Sequence, residues 1–238
     1  MADGPRAGSR AQDGINWACI ERFIGFGRRD APVVFVGMEE RLDPASNLVA
    51  ELKLRSTYAD VMDLLDAFGP GASESDLDFH APTWRVMCDL MVRRAGEEPT
   101  LERRRAYQCT RLGRRVGDSL LCELLPFPNV NRETWAYAGI SSYRDRSEYV
   151  GAVIDCRKRT LRKTMFDCDR ELVVCYGKDA WGDYRDLFGN VSWRQRGSFE
   201  ITNTGKARVV LTPHFGRWFS GERRLNELAE VALDPHAF

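Results

Sequence analysis

Four short apolar runs, each cut off by a polar or glycine-bearing loop, constrain this chain more than any other feature. They are residues 31–37 (APVVFVG), 119–125 (SLLCELL), 172–177 (LVVCYG) and 208–212 (RVVLT). Short runs rich in valine and leucine, without polar alternation, are the pattern of strands buried on both faces. The flanking breakers lie too close for buried helices. Between the runs, apolar residues recur at three- and four-residue spacing, which predicts helices over 15–28, 57–68, from Pro82 onward, 102–116, 147–166, 179–188 and 222–233. Gly69-Pro70-Gly71 stops the second of these. Strands alternating with helices predict an α/β fold of three layers, α/β/α, around a central, mainly parallel four-stranded sheet. Phe199-Glu200-Ile201 followed by Asn203-Thr204-Gly205 predicts an edge hairpin into the fourth strand. Residues 1–13 read as a disordered tail without a signal peptide, and 14–238 as one domain.

Composition narrows the function. Formal net charge is zero, so no global field draws the chain onto nucleic acid, although a local basic groove remains open to it. Arginine supplies all but five of the 35 basic residues. That excess fits either two-pronged phosphate contacts or a genomic compositional bias. Seven cysteines are scattered without any C-x-x-C pair, several of them inside apolar runs. That predicts buried free thiols in a reducing, cytoplasmic compartment, and no zinc or iron–sulfur site. No apolar stretch approaches the ~20 residues of a membrane helix. Neither a G-x-G-x-x-G nor a G-x-x-x-x-G-K-[ST] motif is present, so nucleotide redox chemistry and ordinary ATP hydrolysis are demoted and no cofactor is expected.

In open α/β sheets, ligands bind outside the carboxyl ends of the strands. The segments to read are therefore 38–41 (MEER), 126–129 (PFPN), 178–181 (KDAW) and 213–216 (PHFG). Glu39 and Glu40 offer adjacent carboxylates that could activate water or simply begin a charged loop. His214 is the one histidine at a strand end, suited either to stabilising negative charge on a leaving group or to a structural hydrogen bond. Arg217-Trp218-Phe219 reads as a base-stacking wedge or as an apolar staple for the last helix. The basic clusters at 103–105 and 157–163 read as solvated helix faces.

Taken in order, these loops resemble those of the uracil-DNA glycosylase superfamily. VVFVGMEE resembles the segment Gly-x-Asp-Pro or Gly-x-Asn-Pro that holds the hydrolytic water, with Glu39 at the acid or amide and Glu40 replacing the proline. SLLCELLPFPNVN resembles the strand whose terminal asparagine reads the uracil edge, and Glu123 stands there instead. LVVCYGKDAW is similar to V-x-x-W-G-x-x-A. VVLTPHFGRWFS resembles His-Pro-Ser-Pro-Leu-Ser, with one extra residue between His214 and Ser220. The resemblance spans roughly residues 33–233.

It implies a divergent, metal-independent DNA-base glycosylase, acting as a monomer on DNA that is single-stranded or carries a modified base. Glu39 would orient water and His214 would stabilise the departing base. Gly37, Met38, Glu40, Glu123, Pro126, Phe127, Arg217, Trp218 and Phe219 would contact the substrate. An ionised Glu123 only accepts hydrogen bonds and would repel a uracil carbonyl. Either burial protonates it, or it reads a base richer in donors, or another residue occupies the asparagine's place. Two other readings stand beside this one. One is a non-catalytic nucleic-acid or protein-binding module on the same fold, and the other is an enzyme of free nucleosides or nucleotide-like small molecules.

Overall fold

The computed structural model describes residues 14–234. In chain order its elements are α1 (Trp17–Arg22), β1 (Gly25–Gly27), β2 (Val33–Arg41), α2 (Leu48–Arg55), β3 (Val61–Met62), α3 (Pro82–Arg94), α4 (Leu101–Thr110), β4 (Ser119–Asn129), α5 (Arg146–Phe166), β5 (Leu172–Tyr176), α6 (Trp181–Phe188), β6 (Arg194–Arg196), β7 (Phe199–Thr204), β8 (Ala207–Thr212) and α7 (Glu222–Leu233). The tail proposed for residues 1–13 lies outside the described residues.

The four apolar runs form the adjacent parallel strands β4, β2, β5 and β8. The sheet does not stop there. It has eight strands in the order β3-β1-β4-β2-β5-β8-β7-β6 and is mixed, with antiparallel pairing of β1 on β4, β7 on β8 and β6 on β7. The expected four-stranded, mainly parallel sheet is thus its centre only.

Side chains along β2 alternate between two cores, as strand geometry requires. Val33 and Phe35 pack with α3 and α7 through Met87, Leu90, Leu225 and Leu228. Val34 and Val36 pack with α5 and α6 through Leu161, Met165, Tyr184 and Leu187. Helices therefore cover both faces of the centre.

Three expectations change on the flanks. The helix predicted over 15–28 ends at Arg22, and Gly25-Phe26-Gly27 continues as a strand. Glycine is required there, because a Cβ on Gly25 would lie 1.9 Å from the Leu121 carbonyl oxygen and one on Gly27 2.2 Å from that of Ser119. The helix predicted over 57–68 is instead the short strand β3 and a 3₁₀ turn over Leu64–Phe68. Its apolar spacing serves an edge strand that packs Met62 against Phe23 and Tyr58. Residues 38–41 and 126–129, expected as loops, extend β2 and β4, which stay paired to Arg41 and Asn129 across a register shift. From Leu125 to Asn129 β4 covers four positions against two of β2, so Pro126 and Pro128 sit in this irregularity, where the ladder is already interrupted.

Candidate functional site

A cavity of about 680 Å³ opens where the parallel strands end, on the side toward β1. Glu39 and Glu40 from β2, Glu123 and Pro126 from β4, Tyr176 from β5 and His214 after β8 all line it. The two acids and the imidazole, far apart in sequence, therefore share one cleft.

Glu123 sits opposite Gly37 in the β2–β4 register. A Cβ on Gly37 would fall 2.1 Å from Glu123 Oε2 and 2.4 Å from the Tyr176 hydroxyl oxygen, so the missing side chain makes room for this pair. The Tyr176 hydroxyl donates to Glu123 Oε1 at 3.0 Å. Glu123 Oε2 is buried and has no hydrogen-bond partner. Burial is the main cause that pushes the Glu123 carboxyl up to about 8, and the nearby charge of Glu40 adds to it. The Tyr176 hydrogen bond and the Arg157 charge pull the other way. Burial thus favours the neutral form of Glu123 at pH 7. With Oε1 accepting from Tyr176, its proton resides on Oε2. A carboxyl in this state presents a donor and an acceptor side by side, as an amide does.

The Tyr176 ring stacks on Phe215, with centroids 4.6 Å apart and planes at 10°, and meets His214 edge-on at 6.0 Å. His214 is exposed, and its Nδ1 accepts the Gly216 backbone N–H at 3.1 Å. Desolvation, then the charge of Arg132, lowers its pKa from the ordinary value, with Asp179 opposing. The neutral imidazole thus carries its proton on Nε2 and can donate it outward. Arg132 itself bonds Asp179 at 2.8 Å.

Glu39 has only 8% of its side chain exposed, and Arg146 at the start of α5 donates to its Oε1 at 2.6 Å. Burial raises its pKa from the ordinary value, and Arg146 offsets part of that rise. The Asp145 side chain caps α5 by accepting the Glu148 N–H, which fixes the turn that carries Arg146. Glu40 is held by Arg55 at 2.8 Å, and Arg55 also bonds Glu51 at 2.8 Å. Arg157, expected on a solvated face, is buried and donates to the carbonyls of Phe23, Ile24 and Glu123.

Several expected contact residues lie elsewhere. Met38 points away from the cavity into the cores under α5. Phe127 is fully buried, stacked on Tyr149 at 4.5 Å, and its N–H donates to the Tyr149 hydroxyl. Phe219 is a core residue, and Trp218 packs against Phe199 and beneath Arg224, whose guanidinium lies 4.1 Å from the ring. Neither ring is free to act as a wedge, because the turn over Arg217–Phe219 folds back as the staple of α7. The Arg217 side chain lies outside the description. Gly37 acts by its lack of a side chain. Tyr176 and Arg146 were not identified from sequence. Tyr176 ends its apolar run, and that position on the cavity side of the sheet was the available signal.

Among the described residues, no group of three His, Cys, Asp or Glu side chains is arranged to hold a metal ion, and no helix is long and apolar enough to cross a membrane. No protein-family model and no curated protein sequence matches the chain.

Proposed function

We propose that this protein hydrolyses the N-glycosidic bond of a modified base in DNA, as a divergent relative of the uracil-DNA glycosylases. The observation that carries the reading is the Glu123 carboxyl, which lines the cavity, is pushed up to about 8 by burial and keeps Oε2 buried without a partner. Oε2–H donates to a carbonyl or ring nitrogen of the base, and the second lone pair of Oε1 accepts from an adjacent N–H. Extruding the base costs a few kcal/mol, least for a damaged or unpaired one.

In the reaction, the bond between the sugar's anomeric carbon and the base nitrogen breaks, and its electron pair leaves with the base. The Nε2–H of His214 stabilises that developing negative charge. Ionised Glu39, oriented by Arg146, takes a proton from a water whose oxygen bonds to the anomeric carbon. Solvent protonates the released base. Activity requires Glu123 protonated, so release falls as pH rises through about 8.

The test is strand cleavage by alkali after incubation with oligonucleotides carrying uracil, hypoxanthine or mismatches. The wild type leaves alkali-labile sites in at least one of them. Glu39→Ala and His214→Ala each slow release by about 10²–10³-fold while the fold persists. Unchanged release in the double variant contradicts the assignment. The Arg146–Glu39 ion pair favours one second reading, a base-binding module without catalysis, since Glu39 Oε1 is already occupied by Arg146 at 2.6 Å. Base binding with no release from any oligonucleotide supports it.

A further inference from the structure

We infer that the base accepted by this cavity carries a ring-sized apolar substituent, lodged against Phe68, Phe79 and Trp84. The inference rests on the reading of Glu123 as the base-binding group and adds the substrate class. The cavity does not end at Glu123 and Tyr176. Its lining also takes in Leu121, Met87 and two groups of aromatic rings. In one group Phe79 lies 6.2 Å from Phe68 and 4.8 Å from Trp84 between ring centroids. In the other, Phe23, Phe26 and Tyr58 meet edge to face at 4.9 to 6.0 Å.

A volume of about 680 Å³ is in the range that holds drug-sized ligands, roughly 300–1,000 Å³. A lone one-ring base fills a small part of it. The apolar exposure is also concentrated. Among the described residues six large apolar side chains are exposed, and three of them, Leu54, Phe68 and Phe79, line this cavity. Scattered exposed apolar residues are ordinary, whereas a contiguous set beside a polar recognition group marks a binding surface.

Charge disfavours the obvious competitor, a phosphate: of the three arginines that line the cavity, Arg41 is exposed at the end of β2 and the other two are engaged. The guanidinium of Arg55 is engaged by Glu40 and Glu51, and that of Arg157 by three backbone carbonyls. Glu40 and Glu51 add negative charge at the same wall. The aromatic part of the cavity therefore suits neutral, apolar matter, and its place in one cavity with Glu123 makes that matter part of the same ligand.

Calorimetric titration at pH 7 tests this with four probes: adenine, N6-benzyladenine, uracil and 5-benzyluracil. Burying a phenyl ring predicts that at least one benzylated base binds about tenfold or more tighter than its parent. The gain disappears in the double variant Phe68→Ala/Phe79→Ala, whose positions are 46% and 43% exposed and so lie outside the core. Benzylated bases that bind no tighter than their parents overturn the inference and leave the reading of Glu123 intact. A gain that survives the double variant overturns it as well. If Glu123→Leu weakens none of the four while the ring gain persists and depends on Phe68 and Phe79, the aromatic site stands and the reading of Glu123 falls. Absence of binding by all four overturns both.

Discussion

Where the parallel strands begin, charges meet their partners: Arg94 bonds Asp118 at 3.2 Å and Glu171 at 2.5 Å, and Tyr107 donates to Asp118 at 2.6 Å. Where the same strands end, Glu123 keeps a buried oxygen without a partner and His214 faces outward. Among the described residues the other buried polar atoms without partners are nitrogens of Arg85, Arg104, Arg170 and Asn129, whose groups, like Glu123, bond through another atom. Glu123 is the one carboxyl among them. Arg170 reaches the carbonyls of Ala31, Arg29 and Thr164, and Arg104 reaches Asp89. An unsatisfied buried polar group costs about 1–3 kcal/mol. A chain that satisfies its carboxylates at one end of the sheet and leaves one open at the other has placed that cost where a ligand can remove it. The comparison separates groups that hold the fold from groups that wait for something to bind.

The sharpest way to break this division is at the amino end. Asp118→Ala removes three partners at once and is expected to destabilise the protein by about 1–3 kcal/mol in chemical denaturation. Base binding by the folded fraction should not change. Altered binding would mean that the two ends are coupled.

At the carboxyl end the effects invert. Gly37→Ala places a Cβ against the tips of Glu123 and Tyr176, which must shift to admit it. Stability should hold within about 1 kcal/mol while base affinity falls about tenfold, read by the same calorimetry. An equal loss of stability would make Gly37 a packing residue only.

The smallest effect is expected of Tyr176→Phe. The Tyr176 hydrogen bond lowers the Glu123 pKa, so its loss should move the alkaline limb of base binding to higher pH, with little change in affinity at pH 7. A limb that stays in place, or moves down, would remove Tyr176 from the site.

Much of this arrangement was legible in the residues. The apolar runs announced the four central strands because burial on both faces leaves no polar position in them, and α3, α5 and α7 followed from regular apolar spacing. The flanking strands were not legible. β1 is three residues with two glycines, chosen for close approach to β4 rather than for hydrophobicity, and no local pattern signals that. The helix α2 went unread because its eight residues carry one deeply buried leucine, Leu52, and a buried Arg55, not an apolar stripe. At the site, Glu39 and His214 were visible because they follow apolar runs at the ligand-binding ends of the strands, and Glu123, inside its run, because it stands where the resembled family has its asparagine. Trp218 and Phe219 misled for the same reason: an aromatic pair after a strand looks alike whether it faces solvent or turns into the core. Phe68 and Phe79 meet only through the tertiary fold, eleven positions apart across two 3₁₀ turns.

Glu123 carries the account, and its protonation state can be read directly. Carboxyl carbon chemical shifts of the protein labelled with carbon-13 at glutamate Cδ, with Glu123→Gln to assign the resonance, give its titration curve. The structure predicts that this carboxyl titrates near pH 8 and that base binding is lost over the same interval. Titration near the ordinary glutamate value of about 4.3, with binding unchanged through pH 8, would contradict it.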